Sequence, residues 1–299
     1  MSPSPFLRWV GGKAGLLTQL APLLPPADRA RGYRQPFLGG GTPFWQVYST
    51  VRAAILSDAN PRLIDAYLAV RDHVEALIAE LQRLDPEYGE ARYYEIRKAI
   101  NTGAGSLVKR AAMFFVINKW GFNGLWRVNP SGECNVSFGR TSSGKPPVLC
   151  DPDNLRACSR ALRGVDIWCE DFAVTLTGAR AGEAVYIDSP YHPVSKTADF
   201  TSYTLDGFSY CASTQAGLFG APRTDHDRLV DALHELDRRG VAWTLSNADV
   251  PEMRAAYARW QIADVKARRS VNTDATKRGP VGEIVVRGRW ADRYEEARP

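Results

Sequence analysis

The sequence predicts an α/β fold on three observations. Short β-branched and aromatic runs that end in acidic or small polar residues recur along the chain, helix-forming segments lie between them, and the alternation is broken by one block, 62–120, with helical periodicity and no convincing strand. At 299 residues the chain can bury a large core, and one α/β domain with a substantial insert accounts for its length. The insert is expected at 59–145, within a discontinuous domain formed by 1–58 and 146–299.

In chain order, AGLLTQLAPLL (14–24) reads as a helix after a glycine turn, and AAILSD (53–58) as the first strand. The helical block 62–120 is followed by FNGLWRVNPSGECNVSFGR, which reads as a β-hairpin around Asn129-Pro130-Ser131-Gly132. VDIWCED (165–171), EAVYID (183–188) and VAWTLS (241–246) are the remaining strand candidates. Between the last two, Thr224 and Asp227 form a capping box, Leu229, Val230, Leu233 and Leu236 share one helical face, and Gly240 is the stop.

Hydrophobic residues at 44% and charged residues at 24% exclude fibrous and disordered classes. The five cysteines (Cys134, Cys150, Cys158, Cys169, Cys211) contain no C-x-x-C pair, and the four histidines (His73, His192, His226, His234) no H-x-x-x-H pair. This argues against a disulfide framework and a metal site, and fits a reducing cytoplasm. No run of about 18 apolar residues occurs, and the start MSPSPFLRWVGGK lacks a basic region followed by an apolar one, so neither export nor membrane spanning is expected.

The net charge of +5 hides polarisation. Segment 106–145 has six basic residues to one acidic, and 264–289 has seven to three, whereas 151–206 has five basic to nine acidic. Two basic regions flank an acidic middle, a distribution suited to a polyanion.

Three local patterns carry chemistry. PFLGGGTPFW (36–45) is a glycine cluster followed, 17 residues after Gly41, by Asp58 at a strand end. Glycines that let backbone approach a ligand, with an acid to accept ribose hydroxyls, suit an adenosine-containing ligand, although a glycine turn beside a surface Asp has the same local sequence. WVGGKAG is not a Walker A loop, because Leu7 occupies the first glycine position and Ala14 the Ser/Thr position; Lys13 remains free to meet a carboxylate or simply to follow a turn. YIDSPYHP (186–193) ends an apolar strand in Asp188, Ser189, Pro190 and Tyr191: a carboxylate and a carbonyl able to accept from an amine, and a ring able to stack on a base. A strand-terminating turn with a solvated Asp is the alternative.

With these patterns in order, the chain resembles the DNA adenine-N6 methyltransferases of the Dam type, the D12 class with alpha-group motif order. FLRWVGGK resembles the family's methionine-pocket motif, QPFLGGGTPFW its S-adenosylmethionine loop, and SDANPRLIDAY its ribose-binding acid and following helix. KWGFNGLWRVNPSGECNVSFGR resembles its DNA-recognition hairpin and YIDSPYHPVSKTADFTSY its D-P-P-Y motif. The resemblance implies a Rossmann-like S-adenosylmethionine-dependent methyltransferase domain with an inserted helical and β-hairpin recognition region. It implies that Trp9 and Lys13 line the methionine end of the cofactor, that Pro36, Phe37, Gly39 and Gly41 pass beneath it, and that Asp58 holds the ribose. Asp188 and the Ser189 carbonyl would accept from the adenine N6 amine beside the methyl donor, with Pro190 and Tyr191 completing the site. Phe122 would wedge into the duplex beside Asn123 and Leu125, and Arg127 would read a guanine, so GATC or a related palindrome is the expected target. Arg140, Arg268 and Arg269 would meet phosphates.

The implied partner is double-stranded DNA, without metal or membrane, bound by a monomer. Three departures stand out: Gln35 where the family has Glu, Ser189 where it has the first proline, a rigidity change of about 0.4–1 kcal/mol, and a long 207–223 segment. Because of the first two, a DNA-binding relative that has lost catalysis is the alternative reading. An RNA methyltransferase lacks any recognisable RNA-binding module.

Overall fold

The computed structural model describes residues 2–9, 11–141, 144–192, 207–209, 224–268 and 280–292. Among these, seven strands form one sheet: β1 (Tyr33–Gln35), β2 (Ala54–Asp58), β3 (Asp166–Cys169), β4 (Ala184–Ile187), β5 (Ala242–Ala248), β6 (Gln261–Arg268) and β7 (Pro280–Arg287). Their order is β3-β2-β1-β4-β5-β7-β6, with β1 to β5 parallel and β7 antiparallel to both β5 and β6. The described helices are α1 (Leu17–Leu20), α2 (Thr42–Val47), α3 (Pro61–Asp72), α4 (Val74–Leu84), α5 (Glu90–Asn101), α6 (Leu107–Trp120), α7 (Pro152–Ala161), α8 (Phe172–Thr177), α9 (Asp225–Arg238) and α10 (Pro251–Ala256). This is a Rossmann-like methyltransferase arrangement. The four strands read from sequence are β2, β3, β4 and β5; the capping box opens α9 and Gly240, at φ 71°, follows its end.

Strand alternation buries the sheet on both faces. Ala184 and Tyr186 of β4 face one apolar cluster and Val185 and Ile187 the other, and on β7 Val285 opposes Ile284 and Val286 in the same way. The first cluster continues into α3 to α6, so the helical block shares its core with the sheet. The expected hairpin is an irregular antiparallel excursion. It has isolated bridges at Val128–Cys134 and Gly121–Phe138, and Gly132 N donates to Asn129 O at 2.8 Å.

Two expectations change. The helix 14–24 is broken into a 3-10 turn (Lys13–Leu16), α1 and a second 3-10 turn at Ala21–Leu23, because Pro22 cannot continue the hydrogen-bond ladder. Strands β1, β6 and β7 were not signalled. β1 is three residues long with Arg34 at its centre, 7% exposed. Burial of that cation is made tolerable by Glu183, whose carboxylate accepts from Arg34 Nε at 2.7 Å and from Nη2 at 3.3 Å.

Glu183→Ala therefore leaves a buried guanidinium uncompensated in the central sheet. A stability loss of about 3–5 kcal/mol is expected in denaturant melting, the order found when one partner of a buried pair is removed. An unchanged midpoint contradicts this role.

Candidate active site

The strand order reverses between β1 and β4, and in open α/β sheets this switch point places the ligand crevice outside the carboxyl ends of the strands. A cavity lies there. It is lined by the loop after β1 (Gln35–Pro43), the end of β2 (Asp58, Ala59), the start of α8 (Asp171, Phe172), the turn after β4 (Asp188–Tyr191), the N-terminal segment (Trp9, Gly11–Lys13), and Gly207, Phe208 and Asp225. The structure thus brings together Trp9, Lys13, Pro36, Phe37, Gly39, Gly41, Asp58, Asp188, Ser189, Pro190 and Tyr191.

The glycines of the first loop are required by contact as well as by conformation. Gly39 and Gly41 have φ of 49° and 67°. A Cβ on Gly39 would sit 2.7 Å from the Trp9 ring, and one on Gly41 would sit 2.7 Å from the Tyr67 hydroxyl. The loop is held from outside the cavity. Tyr67 Oη donates to Gly39 O at 3.1 Å, Trp45 Nε1 to Gly40 O at 3.1 Å, and Leu38 N to Ser57 O at 2.9 Å. Gln35, 1% exposed, accepts from the Tyr33 hydroxyl at 2.9 Å and donates from Nε2 to Leu38 O at 3.2 Å. An ionised Glu has no proton for Leu38, so this departure is satisfied locally by an amide.

Asp58 Oδ2 accepts from Gly39 N at 3.1 Å and Oδ1 from Asn60 N at 3.0 Å. Burial pushes its pKa up to about 6, against the lowering effect of these backbone amides. Each oxygen keeps a further lone pair for a ligand hydroxyl. In the cavity wall an aromatic slot that sequence reading missed is built from three separate elements: Phe37 stacks on Phe172 with ring centroids 5.2 Å apart, and Phe208 meets both at 5.9 Å.

Asp188 continues β4 into the cavity. Burial raises its pKa, and the nearby Lys13 ammonium opposes that rise. Lys13, 2% exposed, places Nζ 2.9 Å from Asp188 Oδ1 and donates to Gly11 O at 2.7 Å. Asp188 Oδ1 is thus buried and held in an ion pair with Lys13. Asn247, buried on β5, holds the turn: its Oδ1 accepts from His192 N at 3.2 Å and its Nδ2 reaches the Ser189 hydroxyl at 3.5 Å. The side chain of Ser189 thus finds a partner that proline would not have.

The recognition residues lie apart from the cavity. Phe122 is 43% exposed, an unusual setting for a large aromatic, and Asn123 follows it at φ 55°. Arg127 is exposed, with Nε donating to Asn135 Oδ1 at 2.8 Å. Leu125 is half-buried against the main core. Asn118, 2% exposed on α6, accepts from Arg8 N at 2.8 Å and donates to Arg8 O and Gly124 O, so it ties the N-terminal segment to the exposed turn. Of the basic residues in 106–145, Arg110 is bidentate with Asp65 and Arg140 pairs with Glu90 at the surface. Burial beside Arg8 lowers the Lys119 pKa to about 8. Arg268 is the last residue of β6, while Arg269 and most of the long 207–223 segment lie outside the described residues. Among the described residues, no group of three His, Cys, Asp or Glu is placed to hold a metal ion, and no helix is long and apolar enough to cross a membrane.

The raised Asp58 pKa has a measurable consequence. Because the folded value lies above the ordinary 3.8, the stability contributed by the protonated carboxyl is complete below pH 3.8 and is lost as pH rises through 6. The Asp58 carboxyl carbon is expected to titrate near pH 6 by NMR; a midpoint below 4 contradicts the burial argument.

Comparison with known proteins agrees with this geometry. The D12 class N6 adenine-specific DNA methyltransferase family matches residues 9–271. The chain is 35% identical over 293 residues to the Type II methyltransferase M.MjaIII of Methanocaldococcus jannaschii, covering 93% of this chain and 96% of that protein. It is 33% identical to a Type II methyltransferase of Lactococcus lactis subsp. cremoris and 32% identical to the DNA adenine methylase of Vibrio cholerae, with 94% of each chain covered in both cases. A match spanning the glycine loop, Asp58, the exposed turn and the Asp188 motif places this chain in the D12 class of N6 adenine-specific DNA methyltransferases.

Proposed function

We propose that this enzyme methylates adenine N6 in duplex DNA at GATC or a closely related palindrome, with S-adenosylmethionine as donor. The observation that carries the reading is the convergence, in one cavity, of the Lys13-paired Asp188 carboxylate, the glycine loop and Asp58.

The residues present fit the cofactor. Asp58 has lone pairs to accept ribose hydroxyls, the Phe37–Phe172–Phe208 slot suits a flat purine, and the Pro36–Gly41 backbone, Trp9 and Lys13 line the same cavity. When bound, S-adenosylmethionine supplies an activated methyl group on a sulfonium.

The chain's own residues then do the positioning. A base must leave the stack to be modified, and the exposed Phe122 is the residue suited to fill the gap. Asp188 Oδ1 and the Ser189 carbonyl accept the two N6 protons, leaving the nitrogen lone pair directed at the methyl group, while Tyr191 stacks on the ring. Asn247 keeps the turn in that shape. Positioning of this kind supplies much of the rate of a two-substrate transfer. Arg127, with Nε held by Asn135, presents its terminal nitrogens to guanine O6 and N7. Segment 59–145 is the recognition insert, and Arg140, Arg268 and Arg269 serve phosphates. The enzyme acts as a monomer on duplex DNA in the cytoplasm.

The test is transfer of labelled methyl groups from S-adenosylmethionine to duplexes with and without GATC. Transfer confined to unmethylated GATC is expected; a folded protein that binds duplex but methylates none overturns the reading in favour of a binding-only relative. Asp188→Asn is expected to slow single-turnover transfer by about a hundredfold or more, the order lost with one preorganised transition-state hydrogen bond. Arg127→Ala is expected to reduce discrimination at one base pair by about 1–3 kcal/mol while leaving cofactor affinity unchanged. Equal discrimination by wild type and variant removes Arg127 from base reading.

A further inference from the structure

The turn after β4 is held by Asn247 of β5 and also meets a residue of the neighbouring strand β7. In the β5–β7 register Glu283 lies opposite Ala248, next to the Asn247–Ile284 pair. The Tyr191 hydroxyl donates to Glu283 Oε2 at 2.8 Å. That same oxygen lies 4.0 Å from Lys13 Nζ, and Lys13 Nζ lies 4.6 Å from the centroid of the Tyr191 ring. Glu283 is only 14% exposed, so this contact is not a solvated surface pair.

We propose that Glu283 is a positioning residue for the target adenine: its carboxylate anchors the Tyr191 ring through the hydroxyl and, with Asp188, flanks the Lys13 ammonium. The proposal rests on the assignment of Asp188 and Tyr191 to the target base made above. The geometry gives Glu283 two separable actions. As an acceptor it anchors the far end of the Tyr191 side chain and, because a phenolic O–H prefers the ring plane, favours one ring orientation, so the stacking surface is set before the base arrives and its ordering cost is reduced. As a charge it acts on Asp188. The groups facing Asp188 are Lys13 from the N-terminal segment, Glu283 from β7, Tyr191 from its own turn, Tyr33 from β1 and Tyr186 from β4. Glu283 raises the Asp188 pKa and Lys13 lowers it. Removing the Glu283 charge therefore makes Asp188 ionise at lower pH.

Three variants separate these actions: Glu283→Gln keeps an acceptor and loses the charge, Glu283→Ala loses both, and Tyr191→Phe loses the donor. In Glu283→Gln the acid limb of single-turnover methyl transfer is expected to move to lower pH by roughly one unit, the size of one partly screened charge at short range. In Glu283→Ala, duplex carrying 2-aminopurine at the target position is expected to fluoresce more than with wild type, without cofactor present, because an unanchored ring quenches the extruded base less. Tyr191→Phe combined with Glu283→Ala is expected to slow transfer by less than the product of the two single effects, since both break the Tyr191–Glu283 contact. An unmoved acid limb, wild-type fluorescence and additive rates overturn the proposal. If Glu283→Ala does not fold, the acid limb of Glu283→Gln decides alone. Asp188→Asn keeps the two readings apart: wild-type transfer by that variant overturns the site assignment, whereas loss of transfer there with wild-type behaviour of the Glu283 variants overturns only the role of Glu283.

Discussion

Lys13 is a buried ammonium, and the cleft is arranged around its charge. An unpaired cation at 2% exposure would be costly; Asp188, Glu283 and the Gly11 carbonyl together make it tolerable. These partners lie on the turn after β4, on β7 and on the N-terminal segment. The pairing therefore draws the start of the chain across the carboxyl ends of the strands. The segment that carries Lys13 also carries Trp9, whose ring lies where only glycine fits at position 39, and Arg8, whose main chain Asn118 grips from the far side. One ion pair thus connects the cavity wall, the glycine loop and the helix beneath the exposed turn.

Burial acts on two carboxylates in this cavity, and their surroundings differentiate them. Asp58 is met by fixed backbone amides, one on each oxygen, which suits an acceptor for hydroxyls in a constant position. Asp188 is met by a side-chain ammonium at 2.9 Å, so its charge is balanced by a movable group. The proposed roles, holding a ligand for Asp58 and accepting from a reacting amine for Asp188, call for different partners, and the fold supplies amides to one and a lysine to the other.

Much of this was legible in the sequence because it sits at strand ends, where an apolar run stops at an acid or a glycine: Asp58, Asp188 and the 36–45 loop all lie on such boundaries. The remainder was not, for identifiable reasons. β1 is too short for a period and carries a central Arg whose partner is 149 residues away. β6 and β7 belong to a stretch whose basic residues dominated its reading. The aromatic slot and the clamps made by Asn118, Asn247 and Glu283 join residues distant in sequence, so no local pattern announces them. Two of the three departures from the family pattern find partners in three dimensions, Gln35 with Tyr33 and Leu38, and Ser189 with Asn247. The surplus of positive charge in 106–145 was counted correctly, yet Arg110 and Arg140 are ion-paired, so charge counts overstate what that segment offers to phosphates.

A crystal structure with duplex GATC and a non-transferring analogue of S-adenosylmethionine measures the position of the target N6 directly. The target adenine is predicted outside the helix, with N6 within hydrogen-bonding distance of both Asp188 Oδ1 and the Ser189 carbonyl and its ring on Tyr191. An adenine that remains stacked in the duplex, or an N6 amine that meets neither acceptor, would contradict that placement.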